Sequence, residues 1–226
     1  MKHNIKVDNI ILNNESLLIE NQTISKIKAK GLSEINLFNC NIINLEIEID
    51  NNASLIINSF NIIDKIDTNI IIKANNKSSI TFNHSFINNG KYNLNIYTDF
   101  LKEEGNILLN IHGINNGGTL NTNIDGFVHT DKFNNVLDEN IRIYNFNNGI
   151  VTSNPNMYIS TSKVIANHNT TIGIVREDEL FYLMSKGINK KEAINLIIKG
   201  FLVKIITNND LKIKMQELIQ GGENHA

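Results

Sequence analysis

A single cysteine, Cys40, a single proline, Pro155, and no tryptophan occur in this chain of 226 residues. One thiol cannot close an internal disulfide, and it cannot supply a zinc knuckle or a four-thiolate iron-sulfur site. Such scarcity points to a reducing compartment. No apolar run approaches the ~18 residues that a membrane-spanning helix needs. The opening Met1-Lys2-His3-Asn4-Ile5-Lys6-Val7-Asp8 breaks every apolar stretch with a charged or polar group, so no secretory signal is read there and the cytoplasm is the expected location. An excess of one charge is missing too. With 21 Lys+Arg against 23 Asp+Glu the net charge is -2, which offers no basic face to nucleic acid and no acidic tail.

Asparagine and isoleucine are abundant, roughly 40 of each. From about residue 4 to 170 apolar and polar residues alternate over short runs, the period of half-buried strands. Leu45-Glu46-Ile47-Glu48-Ile49 is the clearest. Tyr92 to Ile96, Ile107 to Ile111, Asn140 to Ile143, and Met157-Tyr158-Ile159 into Lys163-Val164-Ile165 repeat it, separated by Asn, Asp, Gly or Ser clusters that supply turns. Sandwich, barrel and β-helix all fit short repeated strands. Asparagine decides among them, because it is poor in ordinary strands, tolerates the left-handed conformation at solenoid corners and stacks on the asparagine of the next coil. The expected fold is mainly β, a parallel β-helix over residues 1–173.

After Gly173 the period changes. Arg176-Glu177-Asp178-Glu179 places acidic residues at a first helical turn, Leu180 to Met184 follow, and Gly187 is positioned as the left-handed terminator. Asn189-Lys190-Lys191-Glu192 reads as a capping box ahead of Ala193, Leu196, Ile197, Gly200, Phe201 and Ile205, a helix running to about Thr207. Asn209-Asp210 would cap a third helix, Leu211 to Ile219. A small C-terminal helical domain is thus expected over 174–220, with a flexible tail at 221–226.

Signatures of catalysis are sparse. There is no phosphate-binding loop, no nucleophile elbow and no His-Glu-x-x-His pair, and Gly113 to Gly118 reads as a turn. Glu46 and Glu48 project from one strand face, the arrangement of a solvated surface more often than of paired catalytic carboxylates. Six histidines, His3, His84, His112, His129, His168 and His225, are scattered along the chain. Of these His168 stands out, since it ends the last strand at the junction with the helices, and imidazole is a competent ligand for iron as well as zinc.

Asn154-Pro155-Asn156-Met157-Tyr158-Ile159, Lys163-Val164 to Gly173, Leu180-Phe181-Tyr182-Leu183-Met184-Ser185-Lys186-Gly187-Ile188, Glu192-Ala193 and Gly200-Phe201 together resemble the C-terminal part of the SufB/SufD family. The resemblance covers about residues 150 to 206, and upstream it extends weakly to Asp125-Gly126-Phe127-Val128. It implies a right-handed parallel β-helix and a non-enzymatic, SufD-like subunit of the SUF iron-sulfur assembly scaffold. Partners implied are a SufC-type ABC ATPase, docked by the C-terminal helices through Leu180, Phe181, Tyr182, Met184, Leu196 and Phe201, and a SufB-type subunit or second copy paired through the β-helix. No nucleic acid and no membrane are expected as partners. His168 matches the family histidine implicated in cluster assembly and is the candidate metal ligand the resemblance implies. No cofactor is expected to be held stably by the chain alone, with a transient iron-sulfur cluster or iron at a subunit interface. Asn169 stands where SufD-like chains have Gly and SufB-like chains Glu, and Thr170 replaces the usual Ala, while Thr171 and Gly173 fit. No cysteine lies near residues 145 to 155, where SufB-type chains carry a ligand. The chain reads as a short form without the family's N-terminal helical domain. The alternatives are a SufB-like cluster-holding subunit using Cys40 or a partner's thiols, and a free-standing β-solenoid that binds glycans or surfaces. A polysaccharide-cleaving β-helix is disfavoured by an aromatic content of 7%.

Overall fold

The structure, a computed structural model, describes residues 6, 7 and 9–221. Its strands are β1 Lys6–Val7, β2 Ile10–Asn13, β3 Ser16–Glu20, β4 Thr23–Ile24, β5 Lys26–Lys30, β6 Leu32–Phe38, β7 Asn44–Ile49, β8 Ser54–Ala74, β9 Ser79–Phe100, β10 Asn106–Asn116, β11 Thr119–Val128, β12 Asn135–Phe146, β13 Ile150–Ile159 and β14 Val164–Gly173. Three helices follow: α1 Glu177–Ser185, α2 Lys190–Val203 and α3 Asn209–Gly221. Every ladder between the named strands is parallel, and together they form a β-solenoid of about 5 turns. Alternation along each strand sends one set of side chains into the bore and the other outward. The bore is filled by one continuous core, in which Ile27, Ile47, Ile57, Phe82, Leu109 and Leu120 are fully buried.

Asparagine performs the two roles its abundance implied. Asn14, Asn21, Asn39, Asn52, Asn134, Asn147 and Asn148 have positive φ at corners. Inside the corner between β10 and β11, Asn88 donates to Asn115 over 2.7 Å and Asn115 donates to Asn145 over 2.8 Å. A second ladder runs up the outer face, Asn58 donating to Asn36, Asn83 to Asn58 and Asn110 to Asn83, each over 2.9 or 3.0 Å. Such stacks satisfy polar groups at every coil and fix the register between coils.

Two strands are much longer than the short runs the sequence showed, 21 residues in β8 and 22 in β9. They turn a solenoid corner without leaving the ladder, through an irregularity between Ile63 and Lys65. Gly90 is required at that corner, since a Cβ there would stand 1.8 Å from the Asp64 carbonyl oxygen. The glycine-rich run is likewise narrower as a turn than expected. Gly113 lies within β10, and only Gly117, at φ 75, and Gly118 leave the strand.

The helices lie along the outer face of β6, β8, β9, β10 and β12. Leu202, Ile206, Leu211 and Met215 are fully buried against Phe60 and Ile114, each contributing about 1.5–3 kcal/mol by leaving water. Asn58 and Thr207 exchange hydrogen bonds of 2.8 and 3.1 Å. Ser85 Oγ donates to the Leu202 carbonyl over 2.7 Å. The Asn189 side chain caps α2 by accepting from Glu192 N–H at 2.9 Å, and Gly187 at φ 88 ends α1. The α3 cap is Asn208, which accepts from Leu211 N–H at 3.0 Å, one residue before the expected Asn209-Asp210. Helix α2 also stops at Val203 instead of near Thr207. The expected tail at 221–226 lies outside the described residues except for Gly221, the last residue of α3. No helix among the described residues is long and apolar enough to cross a membrane.

Candidate functional site

The C-terminal end of the solenoid is built from β12, β13 and β14. Among the described residues strand β13 pairs only with β11, and β14 only with β12, so each presents an unpaired edge. The single proline, Pro155, sits in β13, where its missing N–H costs no ladder bond to a further coil. Ile150, Ile165, Ile172 and Ile174 are exposed there, as is Tyr158, which stacks on Phe127 at 4.5 Å.

Inside the bore the chemistry changes at the same end. Ile35, Ile57, Phe82, Leu109, Glu139 and His168 stack in register on successive coils. A column that is apolar for four coils therefore finishes with a carboxyl and an imidazole. On the opposite wall Ile27, Ile47 and Ile72 give way to Thr98, Gly126 and Met157. Glu139 is 1% exposed, whereas His168, one coil further out, is exposed. A Cβ on Gly126 would stand 2.9 Å from Glu139 Oε1 and 3.3 Å from Thr98 Oγ1, so the absent side chain makes the room the carboxyl occupies. Among the described residues the buried side-chain oxygens without a hydrogen-bond partner are Thr98 Oγ1, both Glu139 oxygens and Thr170 Oγ1. Thr170 stacks in register on Ile141, two residues beyond His168. Burial, and secondarily the Asp125 charge, pushes the Glu139 carboxyl up to about 8, which keeps it protonated at neutral pH.

Halfway along the bore a cavity of about 270 Å³ is lined by Cys40, Thr68, His84 and Tyr92. His84 bridges Ser59 Oγ at 3.2 Å and the Tyr92 hydroxyl at 3.0 Å, and burial pushes its imidazole down to about 3. Burial raises the Cys40 thiol, which lies 3.4 Å from the Ile19 carbonyl oxygen. A thiol held this way is a poor thiolate.

The third region is the outer surface of the helices. Phe181, Tyr182, Met184 and Leu196 are exposed, Phe181 by 75%, while Leu180 is half-buried. A groove of about 550 Å³ runs between the helices and β12, lined by Arg142, Tyr144, Tyr182, Leu196, Phe201 and Lys204. Phe201 is different from the others in the docking set. Its ring stacks on His112 at 4.3 Å and meets Tyr144 at a tilt with centroids 4.4 Å apart, fixing α2 to the solenoid.

Residues 146–201 match the family described as SUF system FeS cluster assembly, SufBD core domain. The resemblance to SufB/SufD proteins holds over this stretch. It contains the last coil, the whole of α1 and most of α2. The iron-sulfur cluster assembly protein SufD of Bacillus subtilis is 42% identical over 62 residues, 27% of this chain and 14% of that protein. SufD of Escherichia coli is 31% identical over 74 residues, 32% of this chain and 18% of the relative. A SufBD family protein of Pyrococcus horikoshii is 34% identical over 55 residues, 24% of this chain and 12% of its own. The chain therefore aligns with a small fraction of each SufBD relative's length.

Within the matched segment the structure puts His168 at the mouth of the bore and the helical apolar residues on a separate face. Among the described residues no other histidine joins it. His84 and His112 are buried, His129 lies 3.4 Å from Asp99 on the surface, and His3 and His225 lie outside the described residues. Glu46 and Glu48 belong to a surface ionic ladder, Glu46 pairing with Lys26 at 2.6 Å and Lys73 at 3.0 Å, which holds its carboxyl down to about 2. Among the described residues no three His, Cys, Asp or Glu side chains cluster as a ready metal site. Glu139 was missed in the sequence. Its signal was the alternation Leu137, Glu139, Ile141, Ile143, which puts an acid at an inward position.

Proposed function

We propose that this chain is a SufD-like, non-catalytic subunit of a SUF iron-sulfur assembly scaffold, docking a SufC-type ATPase through its helices and pairing through the end coil of its solenoid. The observation that carries this reading is the SufBD core match over residues 146–201, which coincides with an open coil end and an exposed apolar helical face. An apolar surface that includes Phe181, Tyr182, Met184 and Leu196 is what a docking partner buries. Unpaired edges on β13 and β14 beside exposed isoleucines suit strand addition by a SufB-type subunit or a second copy. His168 faces that joint, where an iron-sulfur cluster or iron in transit is the cargo. Two of the relatives named above are SufD proteins, and Cys40 is buried mid-bore with a raised thiol. Both observations favour the SufD-like role over a cluster-holding SufB-like one.

The test is maturation of iron-sulfur enzymes in cells that depend on this chain. His168→Ala is expected to keep the fold and lower maturation, whereas wild-type maturation in that variant removes the histidine from the mechanism.

A further inference from the structure

We propose that the cavity behind the corner of β8 is a binding site for a small uncharged molecule of ring size whose polar end donates a hydrogen bond, in class an alcohol, a phenol or a primary amide. The inference stands apart from the scaffold reading and from the end coil.

The cavity exists because two successive coils differ in length at this corner. Phe38 pairs with Phe60 and Asn44 with Asn69, so five residues, 39–43, face eight, 61–68. The longer segment bows outward through the irregularity between Ile63 and Lys65, and Asp64 and Lys65 are exposed at the mouth. Deeper in, Ile42, Ile63 and Ile70 form an apolar wall and Thr68, His84 and Tyr92 a polar one, all six buried. The volume of about 270 Å³ exceeds the roughly 150 Å³ in which an apolar cavity already holds benzene.

The hydrogen bonds of the polar wall decide which group a ligand can carry. Asn61 Nδ2 donates to the Cys40 carbonyl over 2.6 Å, which turns Asn61 Oδ1 toward the Ser59 hydroxyl at 3.2 Å. Ser59 spends its proton there, so its Oγ accepts from His84 Nδ1–H at 3.2 Å. His84 Nε2 is then left to accept from the Tyr92 hydroxyl at 3.0 Å. Thr68 donates to the Ile42 carbonyl over 2.7 Å, and the Cys40 thiol is directed at the Ile19 carbonyl. The side-chain donors of Cys40, Thr68, His84 and Tyr92 are therefore all spent within the fold, while the neighbouring Tyr92 and Thr68 oxygens keep lone pairs. A ligand that donates is matched there, and one that only accepts strands its own oxygen. Charge is refused as well. Burial keeps the His84 imidazole neutral and holds the protons on Cys40 and Tyr92. The charged lining residues are the exposed pair Asp64 and Lys65, so an ion inside would lose its hydration with no opposite charge beside it.

The test is a titration of the full chain with phenol, followed by calorimetry and by NMR of labelled isoleucine methyl groups. The wild type is expected to bind one phenol per chain, with the largest shifts at the Ile42, Ile63 and Ile70 methyls. Phenol should bind at least as tightly as toluene, which has the same shape, although water holds phenol more strongly, because the Tyr92 and Thr68 oxygens accept its proton. Benzoate, the same ring with a charge, should bind about tenfold more weakly or worse. Ile66 lines the cavity and is half-buried, and Ile66→Phe should fill the space and abolish phenol binding with the circular dichroism unchanged. No saturable phenol binding, toluene bound in preference to phenol, benzoate bound as tightly as phenol, or methyl shifts centred elsewhere would each overturn the site. A folded Ile66→Phe protein with wild-type affinity overturns it too, and if that variant does not fold, the wild-type methyl shifts decide the location.

Discussion

His112 lies flat against Phe201, with ring centroids 4.3 Å apart and an interplanar angle of 0°, and its Nδ1–H donates to the Phe201 carbonyl over 2.7 Å. The carbonyl can only accept, so Nδ1 carries the proton, and burial lowers the imidazole's affinity for a second one. A neutral histidine on β10 thus ties α2 to the solenoid through ring and backbone at once. His112→Ala should cost about 2 kcal/mol, from a buried hydrogen bond and an aromatic pair. Hydrogen exchange should show the loss first in α2, before the β ladders. Uniform loosening of the whole solenoid would argue against a local tie.

Asn58 is the most connected member of the outer asparagine ladder, bonded to Asn36, Asn83, Glu34 and Thr207. Asn58→Ala should destabilise the protein by about 1–3 kcal/mol, because it strands buried partners on two coils and in the α2–α3 connection. Asn156 donates one exposed bond to Asp125, and its replacement by Ala should fall within about 0.5 kcal/mol of wild type. Paired denaturant melts compare the two. Equal costs would mean that the ladders carry no cooperative load.

The Glu139 carboxyl is buried with both oxygens unpartnered. Replacing it by Leu, of similar volume, should raise stability at pH 7 by about 1–3 kcal/mol. A loss of stability on that change would show that the carboxyl has partners within the fold.

His84 makes stability depend on pH. Its folded value is near 3 against an ordinary 6.5, so between those limits the unfolded chain binds a proton that the native protein refuses. Stability from this group is complete above pH 6.5 and is lost as pH falls toward 3. The groups facing it are Ser59, Tyr92, Thr68 and Cys40, with Asp64 and Lys65 also lining the cavity. His84→Gln should flatten the decline between pH 6.5 and 4.5 relative to wild type. The Glu139 contribution, which has the opposite sign, is common to both proteins and cancels in that comparison. Parallel curves for the two would place a protonated imidazole in the native bore.

Local patterns made much of this legible in the sequence. Alternation around Leu45 to Ile49 and the asparagine clusters give the parallel solenoid, because each coil repeats one local rule. The capping box at Asn189 and the terminator Gly187 give α1 and α2. What was not legible depends on contacts between coils. The 21- and 22-residue strands β8 and β9 follow from corners made inside a continuous ladder, where neighbouring coils override the turn propensity of Asp64 and Gly90. Phe201 reads as an exposed docking residue until His112, far away in the chain, is brought beneath it. Glu139 and His168 are 29 residues apart and become neighbours only through the register of β12 with β14.

The measurement that tests the scaffold reading most directly is the mass, by light scattering, of this chain co-expressed with the SufC-type ATPase of the same cell. A stable complex is predicted for the wild type, lost in Phe181→Asp and Tyr182→Asp variants that keep the wild-type circular dichroism and melting behaviour. A folded wild-type chain that runs free of the ATPase would contradict the account.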